Sequence, residues 1–136
     1  MLKTTLINPD IMSVLAYCGH GSKVLIADGN YPLQEKSGDA QKVFLGITAG
    51  VPTVTDVLEA VHGVCEIDKA EVMLPEDGSE PEVFADFRNE LGGMELVGLS
   101  RFEFYNACMS PNAVILAIST GEKRAFANIL LTIGCA

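Results

Sequence analysis

Basic residues are scarce in this chain and never cluster: nine lysines and arginines stand against eighteen aspartates and glutamates, a formal charge of −9 over 136 residues. Nucleic acid is a poor partner for such a surface, because binding it depends on lysine and arginine neutralising phosphates. Phosphorylated substrates are disfavoured for the same reason, and a neutral ligand fits best. Long apolar runs are missing too. The longest, the six residues 113–118, is far too short to cross a membrane, as are shorter ones such as 129–131. Met1–Thr5 lacks the charged and apolar regions of a signal peptide, so a cytoplasmic protein is expected. Cys18, Cys65, Cys108 and Cys135 lie far apart, with no CxxC and no Cys/His pair at ligand spacing. That pattern argues against structural zinc and against a disulfide framework. No nucleophile motif, P-loop, dinucleotide fingerprint or HExxH is present, which leaves group transfer without its usual apparatus.

What the chain does have is apolar residues, 49% of the total, with only 20% charged. This is the composition of one globular domain over 1–136. The positive mean hydropathy of +0.30 in so short a chain also points to surface buried between subunits.

The first helix is signalled by Asn8 as N-cap, Pro9 at its first position, Asp10 in the first turn and Gly19 as its stop. Ile11, Val14, Leu15 and Cys18 would form its buried stripe. Val24–Ala27 is apolar at every position, which reads as a strand buried on both faces. A polar fourteen-residue loop, 29–42, follows, long enough to suggest function. Further strands are expected at 43–47, 71–74, 95–98, 113–118 and 128–133. Helices are expected from Thr53, from Pro81-Glu82 to Gly92-Gly93, and from the capping box Ser100–Glu103 to about Cys108. Alternating strands and helices argue for a layered α/β/α domain.

Asp28 stands at the carboxyl end of the buried strand, where open α/β sheets bind ligands. His20, between Gly19 and Gly21, is suited to proton transfer near neutral pH. The plainer alternatives are a turn-capping aspartate and a surface histidine. Arg101 opens the capped helix and is held in place or is an ordinary surface arginine. Gly121–Arg124, taken alone, reads as a solvated hairpin tip. Asn128, leading into Ile129-Leu130-Leu131, is an edge residue or a ligand contact. His62 reads as structural or exposed. Phe102, Phe104 and Tyr105 read as core, with the Tyr105 hydroxyl to spare. One histidine, one aspartate, one arginine, one asparagine and aromatics suit acid–base work on a neutral polyol.

These residues carry a family resemblance. Asn8-Pro9-Asp10, Gly19-His20-Gly21, Asp28 with Pro32, Thr55–Leu58, Arg101–Tyr105, and Gly121-Glu122 leading to Asn128–Leu131 fall in one order and spacing. In that order they resemble the RbsD/FucU family of monosaccharide mutarotases and pyranases, more closely the fucose mutarotase branch. The resemblance covers the whole chain. It implies a single three-layer α/β/α domain with a mixed, mostly parallel sheet. It implies His20 as proton donor, with Asp28, Arg101 and the triplet Phe126, Ala127 and Asn128 holding the sugar. It also implies rings of subunits, commonly decamers, and no metal or organic cofactor. The chain departs from the family at Phe126, where tyrosine is usual, and at Asn30, where the fucose branch has histidine. Phenylalanine keeps the ring that stacks on a sugar but loses a hydroxyl donor, which Tyr31, Tyr105 or a water would have to replace.

A fully extended chain would separate His20 from Asp28 by ~26 Å, and Val24–Asp28 alone spans ~13 Å. One sugar cannot bridge them on a straight strand. Either residues 19–23 double back or the two residues come from different subunits, and the second is the expectation here. Two other functions compete: a sugar-binding accessory protein without turnover, and a structural oligomer without ligand.

Overall fold

A computed structural model describes residues 1–136. Its centre is β1 (Lys23–Ala27), in which Val24, Leu25, Ile26 and Ala27 are all fully buried. Five further strands complete one sheet: β2 (Gln41–Phe44), β3 (Ile67–Met73), β4 (Leu96–Leu99), β5 (Val114–Ser119) and β6 (Ile129–Ile133). Their spatial order is β2-β5-β1-β6-β3-β4. The β1–β5, β2–β5 and β3–β4 pairings are parallel, and β6 runs antiparallel to both its neighbours, β1 and β3. Five strands therefore point one way and β6 alone points back. The carboxyl ends of those five and the amino end of β6 share one edge of the sheet.

Helices cover both faces, because β1 has no polar side. Val24 and Ile26 pack into the larger core with α1 (Pro9–Leu15), α2 (Val54–His62) and α3 (Val83–Glu90). Leu25 and Ala27 pack into a smaller core with α4 (Arg101–Cys108) and the loop residues Tyr31, Leu33 and Ala40. Each such large side chain contributes ~1.5–3 kcal/mol of burial. The three-layer α/β/α arrangement with a mixed, mostly parallel sheet is thus present, its second outer layer being one helix and a loop.

The caps fall where the sequence places them. Asn8 accepts a hydrogen bond from the Ile11 amide, and Thr53 and Ser100 each form a full capping box, with Asp56 and Glu103. Element ends move by a few residues. Helix α1 stops at Leu15, not at Gly19, because the chain tightens: the amides of Tyr17 and Cys18 bond the carbonyls three residues back, Val14 and Leu15. Strand β2 lies at 41–44 where 43–47 was expected, since its only partner, β5, ends at Ser119 opposite Phe44. Strand β3 begins four residues early, at Ile67.

One expectation is overturned. Residues 121–124 are not a hairpin tip, because β5 and β6 do not pair; β1 lies between them. Glu122 is buried instead. It accepts from the Arg124 guanidinium and from the amides of Arg124 and Val54, while Arg124 also reaches Asp86. Burial by itself would raise the Glu122 pKa, but the Arg124 bonds and charge and the Val54 amide outweigh it and bring it down to about 2. No helix is long and apolar enough to cross a membrane.

Candidate functional site

The shared edge of the sheet carries a cavity of about 210 Å³ where β1, β6, β3 and β4 end or begin. Asp28 follows the last residue of β1, Met73 ends β3, Arg101 opens α4 just after β4, and Asn128 precedes β6. Asn30, Tyr31 and Pro32 from the long loop, with Tyr105, Ala125 and Phe126, complete the wall.

Asp28 organises this wall. Its Oδ1 accepts from the amides of Asn30 and Tyr31, both at 2.9 Å. Its Oδ2 accepts from the Ala127 amide and the Asn128 side-chain amide, both at 3.2 Å. Its own amide donates to Asn128 Oδ1 at 2.8 Å. A carboxylate offers about four lone-pair positions, and four N–H donors of the same chain take them all. Burial raises the Asp28 pKa, and the four hydrogen bonds oppose that rise without cancelling it. The bonds tie the loop after β1 to the segment before β6, two stretches a hundred residues apart. Asn128 is accordingly buried and internal, not an edge residue.

Phe126 holds φ at 60°, a left-handed conformation that is unusual for a bulky residue and is found where surroundings impose it. Those surroundings are explicit here: the next amide, Ala127, is fixed to Asp28. Ala127 itself is fully buried and contributes through that amide.

Arg101 is exposed, and no ion pair or hydrogen bond within the chain engages its guanidinium, so its donors stay free for a ligand. The two tyrosines differ. Tyr31 is buried, packs edge-on against Phe104 and Tyr105, and donates its hydroxyl to the Lys36 carbonyl at 2.7 Å. Burial pushes that phenol far above its ordinary range. Tyr31 therefore cannot stand in for a missing hydroxyl at position 126. The Tyr105 hydroxyl has no partner within the chain and can.

His20 is elsewhere. It sits before the amino end of β1, with five strand residues, roughly 16 Å, between it and the cavity edge. Residues 19–23 do not double back toward Asp28: the Gly21 amide donates to the Ile133 carbonyl at the far end of β6. Of the six residues expected to form the site, Asp28, Arg101, Phe126, Ala127 and Asn128 come together and His20 does not. The second histidine, His62, pairs with Glu90 on α3 at 2.9 Å, as its structural reading anticipated.

Met73 was not anticipated, although the rule that singled out Asp28 also applies to the last residue of a neighbouring strand. A larger cleft, about 390 Å³, opens on the other side of Asn30 between Gly46–Ala49 and Gly121–Lys123. Three of its nine lining residues are glycine, and its one buried carboxylate, Glu122, is already engaged by Arg124 and Val54. The convergent side-chain donors and acceptors are in the smaller cavity.

Comparison with known proteins agrees with this fold. The model of the RbsD / FucU transport protein family matches residues 1–136. A D-ribose pyranase of Clostridium novyi (strain NT) is 32% identical over 136 residues, covering 98% of each chain. Among solved structures, Bacillus subtilis RbsD complexed with D-ribose superposes with a TM-score of 0.86 at 25% identity, covering 100% of this chain and 99% of that one. The fucose mutarotase of Streptococcus pneumoniae in complex with L-fucose has a TM-score of 0.85 at 22% identity, over 100% and 99% of the two chains, a likeness of fold.

Proposed function

This chain belongs to the RbsD/FucU family, and from that premise we propose that it is a cofactor-independent isomerase interconverting the anomers, and the pyranose and furanose forms, of a neutral monosaccharide. The observation that carries the proposal is the cavity itself. It is sugar-sized and part polar, part apolar, walled by Arg101, Asn128, Asp28 and the three rings of Tyr31, Tyr105 and Phe126, at the ligand-binding edge of the sheet. The net charge of −9 favours a neutral polyol over an anionic metabolite as its ligand. L-fucose is one candidate, from the motifs that resemble the fucose branch. D-ribose is the second, from the ribose pyranase relative.

In the reaction, a base takes the anomeric hydroxyl proton, the C1–O bond to the ring opens with its electrons going to the ring oxygen, and an acid protonates that oxygen. Rotation about the C1–C2 bond and reclosure with the roles reversed give the other anomer. His20 supplies the acid. Arg101 and Asn128 bond sugar hydroxyls, Phe126 stacks on the apolar face, and the Ala127 amide and Asp28 hold those groups in place. Because the oxygens of Asp28 are already engaged, a water is the better base. His20 reaches the cavity from a second copy, which makes the working unit a homo-oligomer, in keeping with a ring, with one domain spanning 1–136 in each subunit. The four free thiols suit the cytoplasm.

Magnetisation exchange between sugar forms, with the wild type and His20→Ala, tests this reading. The variant is expected to bind sugar and to lose the acceleration. A non-catalytic binding protein is the second reading, favoured only by the missing hydroxyl at Phe126; it predicts saturable binding without acceleration in the wild type.

A further inference from the structure

From the way Arg124 is clasped two residues before Phe126, we infer that Arg124 is the positioning residue for the Phe126 ring, an inference that rests on the stacking role given to that ring above. Only Ala125 and Phe126 lie between Arg124 and Ala127, and their two amides bond nothing within the chain. Phe126 also keeps a left-handed φ of 60°, which a bulky residue holds only where its surroundings impose it. The Ala127 amide, bound to Asp28, is one flank. Arg124 is the other.

Arg124 closes on Glu122 with backbone and side chain together. Its amide donates to Glu122 Oε1 at 3.0 Å, its Nε to the same oxygen at 3.1 Å, and its Nη2 to Oε2 at 2.9 Å. Such a two-pronged pair fixes direction as well as distance. The remaining nitrogen, Nη1, donates to Asp86 on α3 at 2.7 Å.

Glu122 is itself held from three sides. Its carboxylate accepts from the amide of Val54, the first residue of α2, at 3.3 Å. Its amide donates to Thr120 Oγ1 at 3.2 Å, and that hydroxyl donates to the Ala27 carbonyl at the end of β1. Its carbonyl accepts from the Gly29 amide at 2.9 Å. Gly121 lets the same segment pack bare against the carbonyls of Thr48 and Val51, which a Cβ would strike. The main chain at Arg124 is therefore referred to β1, α2 and α3 at once.

Folding alone asks for less. Buried Glu122 needs a counter-charge, and a lysine would supply one. The fork adds a fixed direction for the chain that leads into the cavity wall. A ring that stacks on a sugar has to be held to within roughly 0.5 Å, and Phe126 lines the cavity. With the clasp opened, residues 124–126 are tied at one end only, and the ring loses its setting while Asp28, Ala127 and Asn128 keep theirs.

The test is a double-mutant cycle on sugar affinity, with L-fucose and D-ribose titrated into each protein well below its melting temperature. Arg124→Ala is expected to weaken binding roughly three- to tenfold, the scale of one lost ring contact, with the loss falling on KM more than on kcat. Arg124→Lys keeps a charge beside Glu122 but not the fork. It is expected to melt closer to the wild type and still to bind more weakly, and it serves where the alanine variant folds poorly. In the Phe126→Ala background neither change should cost further affinity, because Arg124 acts through the ring. Wild-type affinity in a folded Arg124→Ala or Arg124→Lys overturns the inference, as does an equal loss with and without the ring. Wild-type affinity in Phe126→Ala overturns the stacking role on which the inference rests, and the inference with it.

Discussion

Asp28 and Asn128 hold each other through two hydrogen bonds of opposite sense: the Asp28 amide donates to Asn128 Oδ1 at 2.8 Å, and Asn128 Nδ2 donates back to Asp28 Oδ2 at 3.2 Å. This pair closes the wall of the cavity between β1 and β6. It also sets the positions of Ala127 and Phe126, since the Ala127 amide shares the same carboxylate oxygen.

Replacing Asn128 with alanine therefore strips a buried amide of its acceptor and a buried carboxylate of one donor. The expected loss of stability is about 2–3 kcal/mol, the cost of leaving such groups unpaired. Urea denaturation of the wild type and the variant measures it. A change within a few tenths of a kcal/mol would mean that the pair does not organise this wall.

Arg101 is the opposite case. Its guanidinium has no partner within the chain, so Arg101→Ala should leave the melting temperature unchanged. Sugar affinity should fall by roughly ten- to a hundredfold, matching about 1.5–3 kcal/mol for a charged hydrogen bond. Titration calorimetry together with a thermal melt separates the two effects.

Phe126 lines the cavity with a ring and no hydroxyl. Phe126→Tyr is expected to tighten sugar binding by about 0.5–1.5 kcal/mol if the added hydroxyl finds the sugar. If the Tyr105 hydroxyl already fills that role, Phe126→Tyr gains nothing and Tyr105→Phe weakens binding instead. Affinities of the two single variants and the double variant for one sugar decide between them.

Much of this was legible in the chain. The uninterrupted apolar run before Asp28 identified β1 as doubly buried, and Asn8, Thr53 and Ser100 announced their helices because a capping side chain acts within a few residues of itself. The cavity edge was legible because Asp28, Arg101 and Asn128 each follow or precede a strand. What stayed hidden depends on which strands become neighbours. Glu122 and Arg124 resembled a solvated tip because nothing local says that β1 separates β5 from β6. The bulge at Asp68, where the register of β3 against β6 slips between Ile67 and Lys69, gave no signal at all, since it exists only by comparison of two strands distant in the chain.

Glu122 makes the acid response specific. Its pKa in the folded state is about 2, below its ordinary 4.5, so the carboxylate favours the folded state at every pH above that ordinary value. This contribution is lost as the pH falls from 4.5 towards 2. Glu122→Gln should be less stable than the wild type at neutral pH, and the difference should shrink across that interval. Asp28, whose pKa is raised, contributes with the opposite sign, but it is common to both proteins and cancels in the comparison. Melting temperatures at a series of pH values measure the difference. A gap that stays constant between pH 5 and 2.5 would contradict the assignment.

The most direct measurement is magnetisation transfer between the forms of L-fucose and of D-ribose in solution, with and without catalytic amounts of the protein. An isomerase accelerates α/β or pyranose/furanose exchange of at least one of these sugars, and the acceleration disappears in His20→Ala. Exchange at the uncatalysed rate for both, with the protein folded and in the same oligomeric state, would contradict the proposed activity on these sugars.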